Sequence, residues 1–411
     1  MTKLSRSNLE KIVFACFLAL PVIFVVAQDF TPSIFEREDG LIPMNTEDPS
    51  FDLWSQLRDT SGDPEREPGP FYPGRMYAFG VQTFFQLPIA ITPEDLTAGE
   101  VDVAVMGATI DMGVGFRGAG QGPDAMRYSH GMFDVGDRPH MHTGVAWQEE
   151  LNAVDYGNAP VDRFSVERSM PYVRAMVREI AQTGAIPVVI GGDHSLEYPD
   201  VAGVADVYGK ENVGVIHFDA HYDAATSGYG GHLISHAQPI ARLIEEGHIL
   251  GRNYIQVGLR GYWPGPEGFE WMREHNMRYH TMVEIERDGW PTVMERILAE
   301  ANDGPEYLYV SFDIDVLDPA YTPGTGTPEP AGLTPREVFP LVRALCTENN
   351  LVGFELVELN PLVDPGYTTV MNSSRIVQEC LTGIAMRKAG ITDGDYLNPL
   401  TVDDDVPGPA N

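Results

Sequence analysis

Six segments of this chain are near-continuous runs of apolar and β-branched residues, each the length of one strand. They are VDVAVMG (101–107), AIPVVIGGD (185–193), VGVIHFDAH (213–221), YIQVGLRG (254–261), YLYVSFDID (307–315) and LVGFELVE (351–358). A strand with one wet face alternates apolar and polar residues. A run without that alternation is buried on both faces, which is the habit of parallel sheets. Parallel neighbours need crossover connections, and helical patterns lie between the runs. Val173, Met176, Val177, Ile180 and Ala181 share one helical stripe. Thr334-Pro335-Arg336-Glu337 is a helix start: a capping threonine, proline at the first helical position, and a glutamate reaching back. Val338, Leu341, Val342 and Leu345 continue its apolar face. The pattern predicts an α/β fold, a three-layer sandwich with a mostly parallel central sheet.

The ends of the chain differ from this middle. Lys3, Arg6 and Lys11 precede fifteen uncharged residues, Ile12 to Val26, and a small residue, Ala27, stands before the polar Gln28. A basic start, a short apolar run and a small residue read as an export signal over 1–27, with an uncleaved membrane anchor as the alternative. Residues 28–75 are acidic and proline-rich and read as an arm, 76–390 as the folded domain, and 391–411 as an acidic tail. Lys and Arg number 27 against 60 Asp and Glu, a net charge of −33. That balance excludes the basic footprint needed for nucleic acid or anionic lipid, and suits a cationic or neutral small substrate. The cysteines are Cys16, Cys346 and Cys380, with no CxxC pair, so neither a disulfide framework nor a zinc–thiolate site is indicated.

Three of the apolar runs end in polar clusters: GGDHS (191–195), then Asp219, His221 and Asp223 in DAHYD, then Asp313 and Asp315 in SFDIDVLDP. All follow their strands, so all belong to the carboxyl edge of the sheet, where open α/β sheets bind ligands. On an extended chain, residues two apart share a side, so each set is expected to converge along its own strand. A single aspartate at a strand end is commonly a cap, and a single histidine a satisfied core residue. Two imidazoles, His194 and His221, with four carboxylates, Asp219, Asp223, Asp313 and Asp315, are a different matter, because unpaired buried charge is costly. The set exceeds one tetrahedral zinc site and suits two divalent ions. Its donors favour manganese, with nickel, cobalt or zinc as alternatives.

GGDHS, DAHYD and SFDIDVLDP resemble the three metal motifs of the ureohydrolases, the arginase and agmatinase family. MGATIDMGVGFRGAGQGPDAMR (106–127), GTGTPEPAGLTPRE (324–337) and VELNP (357–361) are similar to further stretches of that family. The resemblance runs from about Val101 to Leu381 and is closest to agmatinase-like members. It implies one metal held by His194, Asp219, Asp223 and Asp313, a second held by Asp219, His221, Asp313 and Asp315, and Asp193 orienting its loop. It implies His236 as proton shuttle, Asp223 as acceptor for the nucleophile, and Glu358 as the anchor of a small cationic guanidino substrate. It also implies a homo-oligomer, trimer or hexamer.

A guanidinium carbon is a poor electrophile, so a metal-activated water and a general acid for the departing amine are what its hydrolysis needs. Glu355 is the competitor of Glu358, three residues earlier and on the opposite strand face. Ala224 and Ala225 stand where arginases grip the α-amino acid head, which argues against arginase itself. Trp263 is a candidate apolar wall. Agmatine is the expected substrate, with a guanidine hydrolase or guanidinobutyrase as the enzymatic alternative and an exported metal-binding protein as the non-enzymatic one.

Overall fold

The structure, a computed structural model, describes residues 60, 63, 65–72, 81–133, 138–227 and 234–403. The leader 1–27 and most of the arm lie outside the described residues. Eight strands form one sheet, all paired in parallel, in the order β2-β1-β3-β8-β7-β4-β5-β6. They are β1 Val103–Ala108, β2 Ala153–Asn158, β3 Ile186–Gly191, β4 Val213–Phe218, β5 Tyr254–Val257, β6 Arg278–His280, β7 Tyr307–Asp313 and β8 Asn350–Val357. The six apolar runs are β1, β3, β4, β5, β7 and β8. The two strands without such a run, β2 and β6, are the sheet's edges. β2 carries Asp155 and Gly157, and β6 is only three residues long. An edge strand has one neighbour and needs less apolar sequence, so neither stands out in a hydropathy reading.

Helices cover both faces. On one side lie α2 Val166–Gln182, α3 Glu197–Tyr208, α4 Pro239–Glu245 and Met272 of α5 Pro266–Glu274. They pack on Met106, Val189, Val215, Tyr254 and Tyr309. On the other lie α6 Trp290–Asn302, α7 Pro335–Glu348 and α8 Thr368–Lys388, against Val105, Ile190, Phe218, Phe312 and Phe354. Neighbouring strand residues thus bury on opposite sides, which is why alternation is missing from the sequence. The α7 start forms the expected capping box, Thr334 with Glu337. An earlier helix, α1 Gly122–Phe133, opens with the GP of the glycine-rich stretch.

Residues 65–72, read from sequence as arm, are tied to the domain. The buried Asp95 carboxylate accepts from Gly69 N (2.9 Å) and from Arg66, and Phe71 pairs with Ile89. The start of the tail is also held: Asn398 N donates to His142 O. Among the described residues, no helix is long and apolar enough to cross a membrane.

Candidate active site

β3, β8, β7 and β4 are consecutive in the sheet, so their carboxyl ends deliver four loops to one place. His194 opens a single helical turn after β3, capped by Asp193. Asp219 follows β4 directly. Asp313 closes β7 and caps the turn that carries Asp315. The i, i+2, i+4 convergence expected along an extended strand does not hold after β4. That strand stops at Phe218, its neighbour β5 stops at Val257, and Asp223 has a φ of 45°. A left-handed turn, rather than the pleat, swings Asp223 back beside Asp219.

The six predicted metal ligands come together. Nδ1 of His194 is 3.0 Å from Asp219 Oδ2 and 3.2 Å from Oδ2 of both Asp223 and Asp313. Nδ1 of His221 is 3.0 Å from Asp315 Oδ2 and 3.4 Å from Asp219 Oδ1. Asp219 therefore touches both halves of the cluster. The donor set fits cations. The buried Nδ1 of His194 makes no hydrogen bond and faces only these carboxylates. Burial, with the charges of Asp315 and Asp219, pushes Asp313 well above the usual carboxylate range, and burial with Asp219 pushes Asp223 up. Carboxylates packed this closely cannot all ionise without positive charge among them.

A supporting layer escaped the sequence reading. His217, two residues before Asp219 on the same strand face, approaches Asp219 Oδ2 with Nε2 (3.1 Å) and Glu197 Oε1 with Nδ1 (3.0 Å). With both nitrogens committed, it orients Asp219 rather than binding metal. Its ring stacks on His194, centroids 4.7 Å apart. Burial works against its charge, but Glu197 and Asp219 outweigh that and push its pKa up to about 9. Ser311 Oγ takes the other nitrogen of His194 at 2.8 Å, which leaves Nδ1 as the ligand atom. The spacing HxDxH was the available signal for His217; Glu197 had none beyond its nearness to His194.

Glu358 and His236 meet beside the cluster. Glu358 follows β8 in a left-handed conformation, φ 60°, fixed by its N–H on Gly192 O (2.8 Å). Its Oε1 accepts from His194 N (3.0 Å) and from His236 Nδ1 (3.2 Å). Nε2 of His236 accepts from Val114 N (3.1 Å). Burial disfavours a charged His236, yet Glu358 and nearby aspartates push its pKa up to about 9. The Val114 N–H facing Nε2 opposes that second proton. Gly113 is required here, because an added Cβ would stand 2.9 Å from the His236 ring. Asp193 does orient its loop: one carboxylate oxygen accepts from Ser195 N, the other from Met112 N and Gly113 N. Glu355 is buried beneath the cluster, 3.9 Å from His194 Nε2, and does not reach the cavity.

A cavity of about 220 Å³ is lined by Asp223, Asp313, His221 and His236 and walled by Val114, Tyr222, Ala225 and Trp263; Glu358 touches its lining residue His236 without itself lining it. A second, of about 520 Å³, shares Tyr222, Ala225 and Trp263 with it and adds Glu267 and Trp271.

A doubly covered parallel sheet with carboxylates and imidazoles gathered at its carboxyl edge defines a three-layer α/β protein with a candidate metal centre. The chain belongs to the arginase family, whose sequence model matches residues 101–383. It is similar to the mitochondrial agmatinase of Gallus gallus, 34% identical over 303 residues, covering 74% of this chain and 85% of that protein. It is 32% identical over 333 residues to the mitochondrial guanidino acid hydrolase of Homo sapiens, covering 80% and 90%. Among solved structures, proclavaminate amidino hydrolase from Streptomyces clavuligerus superposes with a TM-score of 0.67 at 33% identity, covering 75% of this chain and 98% of that one. The chain is thus a ureohydrolase, an enzyme acting on guanidino compounds, as its motifs led us to expect.

Proposed function

We propose that the chain hydrolyses agmatine to putrescine and urea. Two divalent ions would be held in the arrangement expected from the motifs: one by His194, Asp219, Asp223 and Asp313, the other by Asp219, His221, Asp313 and Asp315. When bound, such a pair makes water a competent nucleophile near neutral pH and offsets the charge of the buried carboxylates. Oxygen donors with two imidazoles favour manganese, and nickel is the alternative.

The remaining steps belong to the chain's own side chains. Glu358 places a carboxylate opposite the planar guanidinium and draws it over the cluster. Asp223 offers an acceptor to the attacking water. His236, anchored through Nδ1 on Glu358, delivers a proton to the departing amine nitrogen; taking that proton on Nε2 displaces the Val114 N–H from which Nε2 accepts here. Water's oxygen ends in urea, and the amine leaves protonated.

The tail carries the choice of agmatine. Agmatine and the guanidino acids share a guanidinium and differ at the other end, an amine or a carboxylate. The path away from the cluster is walled by Tyr222, Ala225 and Trp263 and leads toward Glu267. Neither cavity is lined by lysine or arginine among the described residues. An ammonium tail suits that lining; a carboxylate finds no counter-charge. A charged hydrogen bond is worth about 1.5–3 kcal/mol, so its absence costs tenfold or more. Measured kcat/KM should fall in the order agmatine, 4-guanidinobutyrate, arginine. A preference for 4-guanidinobutyrate or arginine contradicts the reading, and turnover of free guanidine alone would mean that the tail path is not used.

A further inference from the structure

The two cysteines among the described residues, Cys346 on α7 and Cys380 on α8, are both buried, 1% and 0% exposed. They lie where the two helices pack against each other. Gly383, one turn beyond Cys380, has no room for a side chain: an added Cβ would stand 2.8 Å from Cβ of Cys346 and 2.5 Å from Arg343 O. The two sulfurs, free thiols in this structure, are 2.7 Å apart, closer than thiols that merely pack though longer than the roughly 2.05 Å of an S–S bond. No catalytic group is involved. Cys346 borders a cavity with Val101, Ile186 and Leu351, at the amino ends of β1, β3 and β8, opposite the edge that carries the active site.

We propose that Cys346 and Cys380 are joined by a disulfide in the functional protein. The export reading of residues 1–27 supplies the compartment, since disulfides persist outside the reducing cytosol. Removal of the leader would also take Cys16 away, leaving this one pair. The oxidant is a protein or small-molecule disulfide. A thiolate of one cysteine attacks it and forms a mixed disulfide. The second cysteine's thiolate then displaces the oxidant's remaining sulfur. The S–S bond forms, two protons leave the cysteines, and the oxidant ends as two thiols. Because both sulfurs are shut from solvent, the exchange takes place before α7 closes on α8, and the finished bond resists reductant in the native state. The bridge joins residues 34 apart and acts mainly by restricting the unfolded chain.

Full-length protein from its native host would be unfolded in guanidinium with N-ethylmaleimide, before and after reduction, and weighed intact. Reduction should add two alkylations: from none to two if the leader is cut, from one to three if it is kept. No increase on reduction overturns the proposal. As a second measurement, the Cys346→Ser/Cys380→Ser variant should melt several degrees below oxidised wild type and together with wild type folded under reductant. Equal melting in all three states overturns it as well.

Discussion

Glutamine in place of Glu358 removes one charge from the site and almost no volume. The carboxylate oxygen Oε1 accepts from His194 N at 3.0 Å and from His236 Nδ1 at 3.2 Å. The amide oxygen of Glu358→Gln can keep both bonds, so the β8 loop and the carboxylate cluster should survive. What disappears is the negative charge opposite the guanidinium. A hydrogen bond to a charged group contributes about 1.5–3 kcal/mol, against about 1 kcal/mol for a neutral one. Over a two-pronged contact the difference is about 1–4 kcal/mol, or roughly five- to several hundred-fold in kcat/KM. The assay is urea release from agmatine, with metal content measured on the same preparation. A fall of less than about threefold with metal intact would refute the role of Glu358 as guanidinium anchor. Loss of metal together with activity would show that Glu358 acts by holding the His194 loop instead.

Three further outcomes are expected. Asp219→Ala and Asp313→Ala should each lose more bound metal than Asp315→Ala, with activity at background in all three; normal metal content in Asp313→Ala would contradict its shared position. Glu379, 4% exposed, joins the equally buried Arg343 of α7 to His140, and burial alone would raise its pKa, but His140 and Arg343 hold it below the usual range. Its contribution to stability is therefore complete above the unfolded glutamate pKa and is lost as pH falls through the folded value. Glu379→Gln strands a buried guanidinium and should cost about 3–5 kcal/mol near neutral pH; an unchanged melting temperature would refute that. N-terminal sequencing of protein from the native host should begin at Gln28, whereas an intact Met1 in the membrane fraction would favour the anchor.

The interior strands were legible because burial on both faces leaves no choice but unbroken apolar sequence. The edge strands β2 and β6 were not, since one neighbour suffices for them. The six cluster residues were legible for a related reason: one carboxylate at the end of an apolar strand can be a cap, but six carboxylates and imidazoles at neighbouring strand ends exceed what capping needs. Their convergence was read partly by the wrong geometry. Asp223 arrives through a left-handed turn, which no periodicity encodes. His217 lay in plain view beside Asp219 but looked like any core histidine until Glu197 was seen to take its second nitrogen. Trp263 was named from sequence as a wall, but the backbone donor Val114 and Glu267, at the start of α5, are distant in sequence from the metal motifs, and only packing joins them to the site.

On the proposed function, this cluster holds two divalent ions and uses them on a guanidino compound. The most direct test is one preparation of the full chain, loaded with manganese, dialysed, and assayed for bound metal and for urea and putrescine from agmatine. Two ions per chain, with urea and putrescine formed in equal amounts, is the expected result. Two ions per chain and no urea from agmatine, 4-guanidinobutyrate, arginine or guanidine would contradict it.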